Sequence, residues 1–252
     1  MTRNKFWKIT GILTAALCLT GVCYLIKSGF WITSPFLLFY PVTGVDVSSY
    51  QGDIDWPLLA AQDIDFAYIK ATEGSTFYDK NFQYNWKEAN KTSLRVGAYH
   101  FFSFDSGGKT QAANFIRTVE SVENMLPPAV DLEFYGDKAR NQPDRLKVRQ
   151  DLQALLRELE RHYGVKPILY ATKSSYEKYI AGDFKEYDIW IRNLYFLPFL
   201  EEGRPWVFWQ YSNRRKLRGY QGKESRIDLN YFNGSRDSFR KYPSKSKKKP
   251  ET

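Results

Sequence analysis

Two carboxylates one residue apart, Asp131 and Glu133, interrupt an otherwise apolar stretch, PPAVDLEF. On a β-strand, residues i and i+2 point to the same face with Cα atoms roughly 6.5–7 Å apart. Two carboxyl groups sharing a partly apolar pocket repel, so one holds its proton to higher pH than the other. An acid beside an ionised carboxylate is the pair that glycoside cleavage requires: one protonates the leaving oxygen while the other stabilises or attacks the sugar. A lone Asp-x-Glu is also common as a salt-bridged strand end, so the pair needs support from the rest of the chain. Further acids recur in comparable settings: Asp46 in GVDVSSYQG, Glu73 after AYIKAT, and Asp228 in RIDLNYF. Acids inside apolar strands are costly to bury without partners, and their recurrence at equivalent strand positions calls for a shared explanation.

Other chemistries find less support. Both cysteines, Cys18 and Cys23, lie in the N-terminal apolar run, so the main domain has no disulfide, thiolate metal site or cysteine nucleophile. The two histidines, His100 and His162, are too few for a histidine metal cluster, and neither lies in a motif suggesting a Ser-His-Asp hydrolase. No metal and no cofactor is expected. His100 reads as a buried, hydrogen-bonded histidine, and His162, near a helix end, as capping or solvated. Aromatic residues make up 17% of the chain; their faces stack on sugar rings, but they also fill barrel and sandwich cores. The net charge of +9 would concentrate an anionic polymer. No helix-turn-helix, zinc-finger or aromatic RNA-binding pattern is present, so nucleic acid is not an expected partner. An anionic wall polymer and a membrane surface fit the charge equally well.

Eight β-rich stretches must position these acids: 42–47, 65–71, 95–102, 129–134, 167–171, 187–191, 206–211 and 226–231. A helix over 144–163 carries leucines at helical spacing, follows Pro143 and stops at Gly164. Asp55-Trp56-Pro57 reads as a helix N-terminus, and 80–90 and 109–122 are further helices. Alternating strands and helices imply a parallel α/β sheet, and eight strands suggest closure into an irregular TIM-like barrel. Few helices fit among the last strands. No Gly-rich phosphate loop supports an open doubly wound sheet instead.

At the N-terminus, Arg3, Lys5 and Lys8 precede an apolar run over 9–26 closed by Lys27. Such a helix spans ~27 Å, near the hydrocarbon thickness of a bilayer. Residues 1–27 are therefore predicted to be a cytoplasmic stub and transmembrane signal-anchor, with the rest of the chain exported. The alternative, secretion after signal-peptide cleavage, lacks a small-x-small site and has an overlong apolar core. Residues 28–41 read as a juxtamembrane linker, 42–240 as the main domain, and 241–252 as a basic disordered tail. A monomer is the expectation.

In order, GVDVSSYQGDIDW (44–56), FAYIKATEG (66–74), GAYHFF (97–102), PAVDLE (128–133), KPILYAT (166–172), DIWIRNLY (188–195), WVFWQYS (206–212) and IDLNYFNGS (227–235) together resemble glycoside hydrolase family 25, the muramidases of bacteria and phages. The resemblance runs from Thr43 to Phe239. It implies cleavage of the β-1,4 bond between N-acetylmuramic acid and N-acetylglucosamine in peptidoglycan, on an irregular β/α barrel. By that resemblance Glu133 is the general acid, and Asp131 either positions the substrate's N-acetyl group or assists more directly. Asp46 and Asp228 match further acids of the groove. Tyr99, Tyr170, Trp190 and Trp209 are assigned to the sugar-binding wall, each with core packing as the alternative. Lys70 and Glu73 are expected to pair near the rim. One departure concerns Trp190-Ile191-Arg192, where the family commonly has Trp-x-Ala: Arg192 would bind a substrate carboxylate or pair with a groove acid. Rival readings are a non-catalytic glycan-binding domain and a glucosaminidase or chitinase-like enzyme. A chitinase-like signature would need aspartates where Leu126 and Ala129 stand.

Overall fold

The computed structural model describes residues 3–27, 36 and 38–243. The main domain is a closed barrel. Its strands are β1 (Thr43–Val47), β2 (Phe66–Glu73), β3 (Phe77–Tyr78), β4 (Arg95–Phe101), β5 (Ala129–Leu132), β6 (Ile168–Thr172), β7 (Ile189–Arg192), β8 (Phe208–Arg215) and β9 (Ile227–Phe232). Around the barrel the order is β1, β9, β8, β7, β6, β5, β4, β2, and β1 pairs with β2 to close it. The two-residue β3 hangs on β2 as a hairpin. All eight expected strands are present, with ends shifted by a few residues. The sheet is not wholly parallel, however. β9 runs antiparallel to both β8 and β1, because a hairpin rather than a helical crossover joins β8 to β9, and a direct hairpin must reverse the chain.

Helices cover the first part of the barrel. α1 (Arg3–Lys27) precedes it, and α2 (Trp56–Ala60), α3 (Phe82–Ala89), α4 (Gly108–Thr118) and α5 (Arg145–Tyr163) follow β1, β3, β4 and β5. The Asp144 side chain caps α5 by accepting the Lys147 N–H at 2.8 Å. Gly164 ends it at φ 69°, a conformation that glycine adopts without a Cβ penalty. Val148, Leu152, Leu155, Leu156, Leu159 and Tyr163 form its buried face. Asp55 likewise caps α2 through the Leu58 N–H at 3.0 Å. After β6, the short α6 (Lys173–Ser175) continues into a π-turn, and the connection from β7 to β8 has a three-residue 3-10 turn, Glu201–Gly203, as its sole helical element. On this helix-poor side aromatics cover the sheet instead: Tyr211 stacks on Tyr231 with centroids 3.8 Å apart, and Trp206 and Trp209 meet edge to face at 5.8 Å.

Inside the bore, the amino-terminal end of the parallel strands is plugged by Phe66, Phe208, Phe232 and Phe239, with Tyr68 and Trp190 above them. Gly44 and Gly97 make room for two of the inward rings. A Cβ on Gly44 would stand 2.4 Å from the Phe66 ring, and one on Gly97 2.3 Å from that of Tyr68.

One expectation about the ends lacks support, and the described residues add detail to two others. Among the described residues no helix is long and apolar enough to cross a membrane, so the predicted transmembrane span has no structural support. α1 is 25 residues long, but Thr10, Thr14 and Thr20 interrupt its apolar run, with Thr14 and Thr20 bonding its own carbonyls. The side chains of Ile9, Cys23, Leu25 and Ile26, which the sequence count included, lie outside the described residues. Most of the proposed linker, 28–35 and 37, is also outside them, yet its end belongs to the barrel's shell: Phe36 packs on Trp209 at 5.4 Å and Tyr40 on Trp206 at 5.2 Å. At the other end α7 (Arg236–Lys241) carries the packed structure past the expected boundary at 240. Tyr242 contacts Phe208 and Phe232, and its hydroxyl donates to Asp188 at 2.6 Å. The predicted disordered tail, over 244–252, lies outside the described residues.

Candidate active site

Strand alternation gives each acid its direction. In β5, Val130 and Leu132 face the helices while Ala129 and Asp131 face the bore. Glu133 continues that alternation at the mouth. In β1, Asp46 stands between the outward Val45 and Val47. Its register partner is Asp228 of β9. Because β9 runs antiparallel, an acid near its start reaches the same rim as acids near the ends of the parallel strands. Asp46, Tyr99, Asp131, Glu133, Tyr170, Trp190, Gln210 and Asp228 line one cavity of about 100 Å³.

A side-chain network holds the Asp46–Asp228 side of this cavity. Gln210 Nε2 donates to Asp46 at 3.0 and 3.1 Å and to Asp228 at 3.2 Å. Asn230 Nδ2 donates to Asp46 at 2.7 Å. Trp190 Nε1 in turn donates to Asn230 Oδ1 at 2.8 Å, and the Tyr170 hydroxyl to Gln210 Oε1 at 3.0 Å. These second bonds fix both amides with their NH2 groups toward the carboxylates. The opposite side differs. Asp131 is 9% exposed, and its buried Oδ1 has no hydrogen-bond partner among the described residues.

Burial pushes all four carboxyls above the usual carboxylate range. The effect is large for Asp131, where the neighbouring Glu133 charge adds to it, and for Asp228, where Asp46 adds to it. Asp46 is raised less, since bonds from Asn230 and Gln210 favour its ionised form. Glu133 is raised by burial against the attraction of Arg192, whose Nη1 stands 3.9 Å from Glu133 Oε2. Protons are therefore held here at pH values where exposed carboxyls have lost them, as a general acid requires.

The structure brings together Asp46, Tyr99, Asp131, Glu133, Tyr170, Trp190 and Asp228, with Arg192 at the mouth. It does not bring Trp209. That side chain is fully buried on the outer face of β8, where its Nε1 donates to the Asn193 carbonyl at 2.7 Å. The inward residue of that strand is Gln210. Sequence reasoning missed Gln210 and Asn230, although alternation marks both: Gln210 is two residues after the inward Phe208, and Asn230 two after Asp228. Lys70 and Glu73 do pair, at 2.8 Å. His100 lies outside the cavity, buried and held near pKa 4 by burial. It contacts Thr72 at 2.7 Å and Gln111 at 3.0 Å. Among the described residues no group of His, Cys, Asp and Glu is arranged to hold a metal ion.

Comparison with known proteins agrees with this geometry. Residues 45–220 match the model of glycosyl hydrolases family 25. A family 25 glycosyl hydrolase from Bacillus anthracis superposes with a TM-score of 0.77 at 55% identity, covering 81% of this chain and 94% of that one. YegX of Escherichia coli O157:H7 is 32% identical over 216 residues, 84% of this chain and 76% of YegX. Lysozyme M1 of Streptomyces globisporus is 30% identical over 207 residues, 77% of this chain and 68% of that lysozyme. With a family match over most of its length and a barrel whose mouth gathers four carboxyls, the chain belongs to glycosyl hydrolases family 25.

Proposed function

We propose that the protein is a muramidase, hydrolysing the β-1,4 bond between N-acetylmuramic acid and N-acetylglucosamine in peptidoglycan. The observation that carries this reading is the convergence of Asp131 and Glu133, both inward and both raised in pKa, on one cavity. The similarity to lysozyme M1 supports the substrate class. Glu133, at the mouth and 27% exposed, gives its proton to the glycosidic oxygen as the bond to the sugar's anomeric carbon breaks, and then takes one from the incoming water. Asp131 offers its unpartnered Oδ1 to the N–H of the substrate's 2-acetamido group, turning the acetamido oxygen toward the anomeric carbon. Asp46 and Asp228 bind substrate hydroxyls and tune the pair. Tyr99, Tyr170 and Trp190 form the sugar-facing wall.

The site of action follows from the substrate: the domain works outside the cytoplasm, with the N-terminal segment directing export. Retention of that segment in the membrane fraction, against release of a shortened protein, separates an anchor from a cleaved signal.

The decisive experiment is digestion of purified peptidoglycan by the full chain, wild type beside Glu133→Gln, with mass spectrometry of the released fragments. New reducing-end N-acetylmuramic acid from wild type alone is the expected result. Reducing-end N-acetylglucosamine would make the protein a glucosaminidase. No release, with glycan binding intact, would leave a non-catalytic binding domain.

A further inference from the structure

Arg192 is the last residue of β7 and follows the inward Trp190 by two, so its side chain rises from the bore to the mouth of the cavity. It is 35% exposed. Its guanidinium is 3.9 Å from Glu133, an ion pair too long for a hydrogen bond. Among the described residues neither side chain makes a hydrogen bond, so the N–H donors of Arg192, beside Glu133 and 35% exposed, are uncommitted. The other nearby cation is committed elsewhere: Lys70 bonds Glu73 at 2.8 Å and lies over the Phe101 ring at 4.8 Å. A guanidinium presents paired donors that match a carboxylate bidentately, which an ammonium does not.

An arginine here acts against the chemistry assigned to Glu133. The charged groups that bear on Glu133 are Arg192 from β7 and Lys70 from β2, both favouring its ionised form, and Asp46 from β1, opposing them. Asp131 from β5 and Asp228 from β9 are in turn raised by the Glu133 charge. A general acid must hold its proton until the glycosidic oxygen arrives, and a cation left facing it offsets part of the rise that burial gives Glu133. A substrate that supplies its own anion to the guanidinium resolves the conflict. The 3-O-lactyl arm of N-acetylmuramic acid ends in such an anion when no peptide is attached; in the stem-bearing polymer the same carboxyl is an amide.

Resting on the muramidase reading, we propose that Arg192 is a specificity residue that receives the free lactyl carboxylate of peptide-free glycan, and that seating this carboxylate draws the guanidinium away from Glu133. The preferred substrate is then glycan from which an amide-cleaving reaction has already removed the peptide. Binding the correct substrate also raises the pKa of its acid further, by removing the opposing contact at 3.9 Å.

The test compares peptide-free glycan with the same glycan after methyl esterification of its lactyl carboxyls, using wild type, Arg192→Gln and Arg192→Lys. Wild type is expected to favour the free acid in kcat/KM by roughly tenfold, the worth of one charge-assisted hydrogen bond. Arg192→Gln removes that preference, chiefly through KM on the free acid, and Arg192→Lys restores part of it. On the ester, where no anion competes, Arg192→Gln moves the alkaline limb of the pH profile upward, because the cation no longer opposes protonation of Glu133. Equal losses on both glycans, or a preference untouched by Arg192→Gln, overturn the proposal. If wild type cleaves neither glycan, the muramidase reading fails by itself. Equilibrium binding of the two glycans then decides Arg192: a free-acid preference lost in Arg192→Gln sustains its role, and none in wild type refutes it.

Discussion

At the amino-terminal end of the bore, Phe66 of β2 meets Phe208 of β8 at 5.0 Å, and Phe208 meets Phe232 of β9 at 5.4 Å. One or two pleats along the same strands, at the opposite end, stand Lys70, Gln210, Asn230 and Asp228. The backbone treats both ends alike, since alternation and barrel closure direct every second side chain inward. What differs is how the contents are held. The rings need only volume and contact. The carboxyls need partners in water's place, and they receive them unevenly: Asp46 has three donor contacts from Gln210 and Asn230, whereas Asp131 Oδ1 has none. One end of the bore is thus a source of stability, and the other holds charge at a cost to it.

The largest effect that tests this division is at the apolar end. Phe208→Ala removes a fully buried ring and should cost about 3–5 kcal/mol, roughly 10 °C or more in Tm. Near-native glycan affinity at a temperature where the variant remains folded would show that the two ends are separable. Comparable losses of affinity and stability would join them. Next in size is Gln210→Leu, which strips Asp46 and Asp228 of their shared donor. Unsatisfied buried groups cost about 1–3 kcal/mol. The loss has a pH signature. Both carboxyls already sit above the usual range, and removing a donor to the ionised form raises them further. A raised folded-state carboxyl makes stability fall as pH climbs from the ordinary carboxylate value through the raised one. The variant should therefore melt well below wild type at pH 7 and approach it near pH 4.

Asp131→Asn should act with the opposite sign. Burial and Glu133 hold Asp131 well above the carboxylate range, so its ionisation on the way to neutral pH destabilises the fold. The neutral amide removes that cost, raising Tm at pH 7 by a few degrees, at about 2–4 °C per kcal/mol, with the gain fading as pH falls. Hydrolysis should drop by about two orders of magnitude or more, as for loss of an acid–base partner. A Tm that falls at neutral pH would mean that the charge is better partnered than the geometry shows.

Much of this division was legible in the sequence. Eight β-rich runs marked Asp46, Asp131, Glu133 and Asp228 as acids near strand ends, because strand periodicity is local and acids in apolar runs are conspicuous. It was the resemblance to family 25, however, that assigned all four to one groove. The direction of β9 was not legible. It follows from the missing crossover helix, and a short linker reads the same before a parallel edge strand and a hairpin. Gln210 and Asn230 were overlooked because neutral amides carry no charge signal; their role depends on lying across the bore from Asp46, a contact between residues 164 and 184 positions apart. The packing of Phe36 and Tyr40 was likewise not legible, since they find their partners on the helix-poor face of the finished barrel.

Trp209 gives the smallest effect and the sharpest discrimination between the bore and its outer wall. An aromatic beside a groove strand invites assignment to sugar stacking, but parity decides against it: Phe208 and Gln210 point inward, so Trp209 points out. There it touches Phe36, Tyr40, Trp206 and Tyr231 and donates to Asn193 at the end of β7. Trp209→Phe keeps a ring but loses the indole N–H and part of the contact area. A lost hydrogen bond to a buried carbonyl, with slight under-packing, costs about 1–2 kcal/mol, a few degrees of Tm. KM for glycan should not move, because no atom of Trp209 lines the cavity. A KM that rises while Tm holds would return Trp209 to the sugar-binding wall and break the parity on which the inward assignment of Gln210 and Arg192 rests.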